Sequence, residues 1–113
     1  MTEARLRRFA ERLRAAWSVE TASTWSPTNP AAGQCSVTAI VAQALLGGEI
    51  LKTGTLGGAH FYNCIAGARV DFTAEQFGSL LSYQDLPSDR EEAMADTSPE
   101  QVRSLLAALS PLR

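Results

Sequence analysis

The chain is short of the residues from which many active sites and metal centres are built. Its 113 residues include one histidine and two cysteines. Two cysteines cannot make the disulfide framework of a small secreted domain, and no C-x-x-C or His/Cys cluster offers a structural metal site. No apolar run approaches the ~20 residues of a membrane span. The N-terminus lacks an apolar signal core followed by a cleavage site. Neither sign of charge dominates, the formal net charge being -2. These absences exclude a disulfide scaffold, a zinc module and a membrane protein. They leave an expectation of one compact cytoplasmic domain over residues 1–113, with no metal and no cofactor. At 45% hydrophobic content the chain is large enough for a core that needs no staples.

What charge there is lies unevenly. Residues 1–17 carry Arg5, Arg7, Arg8, Arg12 and Arg14 against Glu3 and Glu11, which leaves the remainder acidic. One arginine-rich helix on an acidic domain is thin ground for nucleic-acid binding. The simpler reading is the solvated face of an ordinary helix, with no nucleic acid and no membrane among its partners.

The spacing of Leu6, Phe9, Leu13, Ala16 and Trp17 predicts a first helix over 3–17, entered from Thr2. The turn-rich stretch "SVETASTWSPTNPAAG" at 18–33 reads as an ordered loop, long for a compact domain. A second helix is expected from Gln34 to Leu46. Val37, Ile40, Val41, Ala44 and Leu45 form its apolar stripe, and Gly47-Gly48 ends it. Its other side, with Thr38, Ala39 and Ala42, is small enough to let a sheet approach. Strands are expected at 49–54, 60–65 and 68–72. Capping boxes at Thr73 and Ser88, and "SPEQ" at 98–101, mark later helix starts, the last with Val102, Leu105, Leu106 and Leu109 inward. The fold class is α+β, helices packed on a small antiparallel sheet.

Cys35 falls in the first turn of the second helix, where unpaired backbone N–H groups and the helix dipole favour a thiolate. A buried structural cysteine needs no such placement. The sole imidazole, His60, and then Asp71 follow on successive strands. That order suits a nucleophile, a general base and an orienting carboxylate. Each also has a plainer reading: a structural thiol, a half-buried histidine, a carboxylate assisting the Thr73 cap. Gln34 is a candidate oxyanion donor beside the Cys35 N–H, and Trp25 a candidate wall of a substrate cleft or a piece of core. Cys64 reads as inert packing.

Register decides whether His60 and Asp71 meet. A two-residue turn at Gly67-Ala68 pairs Cys64 with Asp71 and leaves the latter about 13 Å from His60 along the strand. A four-residue loop over 65–68 pairs Tyr62 with Asp71 and makes His60 and Asp71 diagonal neighbours. The wider loop is the expectation; otherwise a backbone carbonyl or another residue takes the orienting role. Asn63, on the opposite face of its strand from His60, is not expected to reach it.

The Cys, His, Asp order resembles the papain-like cysteine peptidase group in its wide sense, which includes NlpC/P60 and transglutaminase-like folds. More closely, "NPAAGQCSVTA", "GGEIL", "HFYN" and "VDFTAEQF" resemble the small bacterial YunG-like family, over about Trp17 to Phe77. The resemblance implies a papain-like minimal core, and a fold and mechanism rather than a substrate. The function expected is cysteine-dependent acyl transfer on a small-molecule or peptide acyl substrate, as an amide or thioester hydrolase, deamidase or acyltransferase. The rival is a non-catalytic interaction domain on the same scaffold.

Overall fold

The computed structural model of the chain describes residues 2–77 and 81–109. Along them run α1 (Glu3–Ala16), α2 (Cys35–Leu46), β1 (Glu49–Thr55), β2 (Gly58–Ile65), β3 (Ala68–Val70), a 3-10 turn (Ala74–Gln76), β4 (Leu86–Ser88), α3 (Arg90–Met94) and α4 (Pro99–Leu109). The strands make one antiparallel sheet in the order β3-β2-β1-β4. Helix α2 lies against β2 and carries α3 and α4, while α1 packs on α4. The fold is α+β, with helices on a small antiparallel sheet.

The helix boundaries follow local chemistry. Thr2 caps α1, its side chain accepting from the Arg5 N–H. Leu13 and Ala16 are buried, the five arginines point to solvent, and Trp17 ends the helix with its Nε1–H on Thr38 Oγ1 at 2.9 Å. Helix α2 is buried along almost all of its first two turns. The small side at Ala39 and Ala42 does admit the sheet. Asn63 Nδ2 reaches the Ala39 carbonyl at 3.0 Å, a use of Asn63 well away from His60. The expected stripe runs too far, however. Ala44 and Leu45 are exposed.

Gly48 is required where it stands. Its φ is +80, and a Cβ there would lie 2.2 Å from the Cys64 carbonyl oxygen, so only glycine lets the α2–β1 turn pass over the end of β2. The core comprises Leu13, Trp17, Val37, Ile40, Ile50, Phe61, Leu105 and their neighbours.

The later part departs from the capping-box expectations. Thr73 opens only a 3-10 turn and makes no side-chain cap, because Asp71 holds both its hydroxyl and its N–H. The helix near Ser88 is capped by Asp89, which accepts from Glu92 N–H, while Ser88 Oγ bonds the Glu92 carboxylate. Ser98 caps α4 through the Gln101 N–H. Strand β4 was not anticipated. It is three residues long, includes Pro87, and is tolerated as an edge strand on β1.

Candidate active site

The β2–β3 connection is a two-residue turn, Ala66-Gly67, not the four-residue loop expected. Both residues have positive φ, 52 and 81, the requirement of a type I′ hairpin whose twist matches its strands. Ile65 pairs with Ala68, Cys64 with Arg69 and Asn63 with Val70. The register is nonetheless the expected one, since continuing it sets Tyr62 opposite Asp71. β3 stops at Val70, and Asp71 turns inward to His60.

His60 Nε2 and Asp71 Oδ2 are 2.7 Å apart, with the two side chains 2% and 5% exposed. Asp71 is fully engaged. Oδ1 takes the Thr73 N–H and hydroxyl, and Oδ2 also accepts from Tyr83 Oη at 2.8 Å. Asp71 thus holds Thr73 through one oxygen and His60 and Tyr83 through the other. Phe77 meets the His60 ring edge-on at 4.8 Å, and Tyr62 stacks beside it at 5.8 Å. Packing and the carboxylate leave the imidazole no freedom to turn.

The remaining ring nitrogen, Nδ1, is buried with no partner at ordinary hydrogen-bond geometry. The Cys35 thiol interacts with this imidazole, and Nδ1 is the nitrogen that Asp71 leaves free for it. Cys35 is the first residue of α2 and half-buried. Burial acts to raise its pKa. His60, the Phe61 backbone N–H and the Ser36 hydroxyl outweigh that and bring it below the ordinary value. For His60, burial disfavours the cation, but Asp71 and Cys35 prevail and push its pKa up to about 9. Asp71 is lowered: burial opposes this, and His60, Tyr83 and the Thr73 backbone outweigh it. Cys35, His60 and Asp71 thus form one chain of charge, each shifted in the direction that favours thiolate, imidazolium and carboxylate.

Two other expected site residues sit elsewhere. Gln34 is wholly buried, its Oε1 accepting from Thr21 Oγ1 at 2.8 Å and its Nε2 directed to the Ser18 carbonyl. It pins the 18–33 loop to the start of α2 with both ends of its carboxamide engaged, so it is not the free oxyanion donor expected. Trp25 is half-buried and packs on the core, its Nε1 buried without a partner.

Sequence reasoning passed over Tyr83 and the cluster beyond it. Tyr62 Oη donates to Asp85 Oδ1 at 2.8 Å and accepts from the Asp85 N–H. Arg69 grips Asp85 through Nε and Nη2 and lies 4.6 Å from the Tyr83 ring centroid. That pairing holds Asp85 at about 2. Thr53, cross-strand from His60, bonds the Ser82 carbonyl. Residues 81–85 thus strap the sheet face that carries His60. Two tyrosines so close to a His–Asp pair were the available signal, but no local pattern links positions 62 and 83.

Among the described residues no group of three His, Cys, Asp or Glu side chains is set to hold a metal, and no helix is long and apolar enough to cross a membrane. A cavity of about 380 Å³ between α1 and the 3-10 turn touches Asp71 but neither Cys35 nor His60.

A protein-family model described as YunG protein matches residues 5–111. The chain belongs to the YunG family. It is 47% identical over 98 residues to the uncharacterized protein YunG of Bacillus subtilis (strain 168), the match covering 87% of this chain and 85% of that protein. No solved structure matches the chain. Family membership thus spans α1 through α4 and includes every residue of the Cys35–His60–Asp71 group.

Proposed function

We propose that this YunG-family protein is a cysteine-dependent acyl-transfer enzyme with a papain-like arrangement of nucleophile and base. The observation that carries the reading is the division of labour on one buried imidazole: Nε2 is fixed by Asp71, and Nδ1 is left for the thiol at the start of α2. In the proposed reaction the Cys35 thiolate attacks the carbonyl carbon of an amide or thioester. The leaving group departs with a proton from His60, and an acyl-thioester remains on Cys35. Water or an amine, deprotonated by His60, then takes the acyl group. A loose Cys35–His60 contact suits a free enzyme, since such hydrogen bonds tighten when substrate binds. A cytoplasmic setting would keep Cys35 reduced.

Intact-mass and peptide spectrometry after exposure to a panel of activated acyl donors tests the proposal. A gain of one acyl group on Cys35, lost in Cys35→Ala, is the expected result. No adduct across thioesters, activated esters and activated amides would refute it.

A second reading has one observation of its own. The groove between α1 and the end of α2 is rimmed by Arg5, Arg8 and Arg12 and floored by Phe9, with Leu45 51% exposed. Such a surface suits an interaction domain. Cys35→Ala separates the two, because an interaction domain keeps its cellular phenotype in that variant and an enzyme loses it.

A further inference from the structure

The arginines of α1 do not all share one circumstance. Arg14 pairs with Glu75, as Lys52 does with Glu92, Arg69 with Asp85 and Arg103 with Glu100. Arg5, Arg8 and Arg12 are exposed and have no acidic partner among the described residues. Their spacing of three and then four residues sets them along one side of the helix, over about 10 Å. That side rims a groove of about 320 Å³ whose other lining residues are Phe9, Leu45 and Leu46. No acidic side chain lines it. Leu45 is 51% exposed, so leucine surface meets solvent between guanidinium groups.

One use for these arginines lies within the chain, facing the carbonyl end of α2. A helix C-terminus carries only about half a negative charge. The arginine side chains that hydrogen-bond among the described residues are Arg14, Arg69 and Arg103, each to a carboxylate. Three full charges at the groove are therefore left for something outside the chain.

Charge and shape together select the partner. A long polyanion reaching past the groove meets an acidic molecule, with five basic against ten acidic residues from position 18 onward. Such a ligand is repelled. The apolar residues form the floor of a concavity and not a protruding face, so they do not enter a lipid surface. A short amphipathic segment meets both demands, with apolar side chains on the floor and carboxylates on the rim. From this we propose that the α1–α2 groove docks an acidic amphipathic helix of a partner protein. Leu45 lies ten residues along α2 from Cys35, about 15 Å, so the docked helix leaves the thiol open. The inference stands apart from the acyl-transfer reading.

Fluorescence anisotropy of a short labelled helical peptide, with a leucine stripe flanked by glutamates, tests the proposal. One comparison peptide carries lysine for glutamate, and another alanine for leucine. The Glu/Leu peptide should bind, more weakly as salt is raised, and at least about tenfold more tightly than either comparison. Arg8→Glu with Arg12→Glu, and separately Leu45→Ser, should each weaken it by about tenfold. Circular dichroism and the iodoacetamide labelling rate of Cys35 should match wild type in both variants, and bound peptide should leave that rate unchanged. Absence of binding, equal binding of a comparison peptide, full affinity in the variants, or protection of Cys35 by the peptide overturns the proposal. Tighter binding to phosphatidylglycerol vesicles than to the peptide overturns it in favour of a membrane. Self-association that Arg8→Glu with Arg12→Glu abolishes overturns it in favour of a second copy of the chain.

Discussion

Cys35 and Cys64 occupy opposite circumstances in one small molecule. Both are free and both are half-buried, so the inert packing expected of Cys64 is not a matter of its being buried more deeply than Cys35. Cys35 opens a helix, accepts a backbone N–H and lies beside an imidazole made cationic by a carboxylate. Cys64 stands near the end of β2, paired across the sheet with Glu49 and Arg69. The lesson is that accessibility does not make a thiol reactive here. Burial alone works against the thiolate, and it is the aligned charge at the helix start that reverses the sign.

Destroying the fold should erase the contrast altogether. Leu105 and Leu13 are fully buried, and alanine at either should cost about 2–5 kcal/mol. Urea midpoints should fall accordingly, and beyond the transition the two thiols should alkylate at one rate. Midpoints equal to wild type would mean that α1 and α4 do not hold the core as described.

His60→Ala should remove the contrast within a folded protein. Iodoacetamide labelling of Cys35 at mildly acidic pH is expected to slow about 10- to 1,000-fold, the range for losing a neighbouring opposite charge, with Cys64 unchanged. If both thiols slowed together, the cause would be structural and not electrostatic.

Asp71→Asn should narrow the contrast. Without the carboxylate, the His60 pKa falls from about 9 towards 6.5, so the alkaline end of the Cys35 reactivity profile should move down in pH while that of Cys64 stays. The same residue predicts an acid effect. A pKa held below 3.8 in the folded state confers stability that is present above that value and lost as pH falls through the folded pKa. Thermal melts should show wild type losing stability across that acid range more steeply than Asp71→Asn.

The smallest effect should come from Tyr83→Phe, which deletes one donor to Asp71 Oδ2. It should lower the alkaline pKa of the Cys35 profile by less than about one unit and leave Cys64 untouched. A change as large as that of Asp71→Asn would mean that the residue 81–85 strap, not the carboxylate, sets the imidazole.

The legible and illegible parts of this molecule divide by range of interaction. The starts of α1 and α2, the position of Cys35 and the β2–β3 register came from signals spanning a few residues: a threonine cap, a Pro-Gly loop, alternation along a strand. The register matches the expected one although the turn is two residues and not four, because Ala66 accepts a positive φ that its sequence does not advertise. Gln34 misled, since adjacency to Cys35 says nothing of a side chain that Thr21 has already claimed. Tyr83 and β4 were missed for one reason. Their roles are created by partners 12 and 36 positions away, and each sits in a stretch with no periodicity.

The Cys35–His60 pair has a thermodynamic disguise. At a pH above both the lowered thiol pKa and the ordinary histidine value of 6.5, and below the His60 value of about 9, the folded protein lacks a proton on sulfur and holds an extra one on nitrogen relative to the unfolded chain. The two deviations cancel in the proton inventory. Across that window the pair should therefore leave stability nearly independent of pH, and its proton uptake on unfolding should be close to nil. Only a probe that sees sulfur, such as thiolate ultraviolet absorbance, registers a charge that has been relocated inside the protein without entering or leaving it.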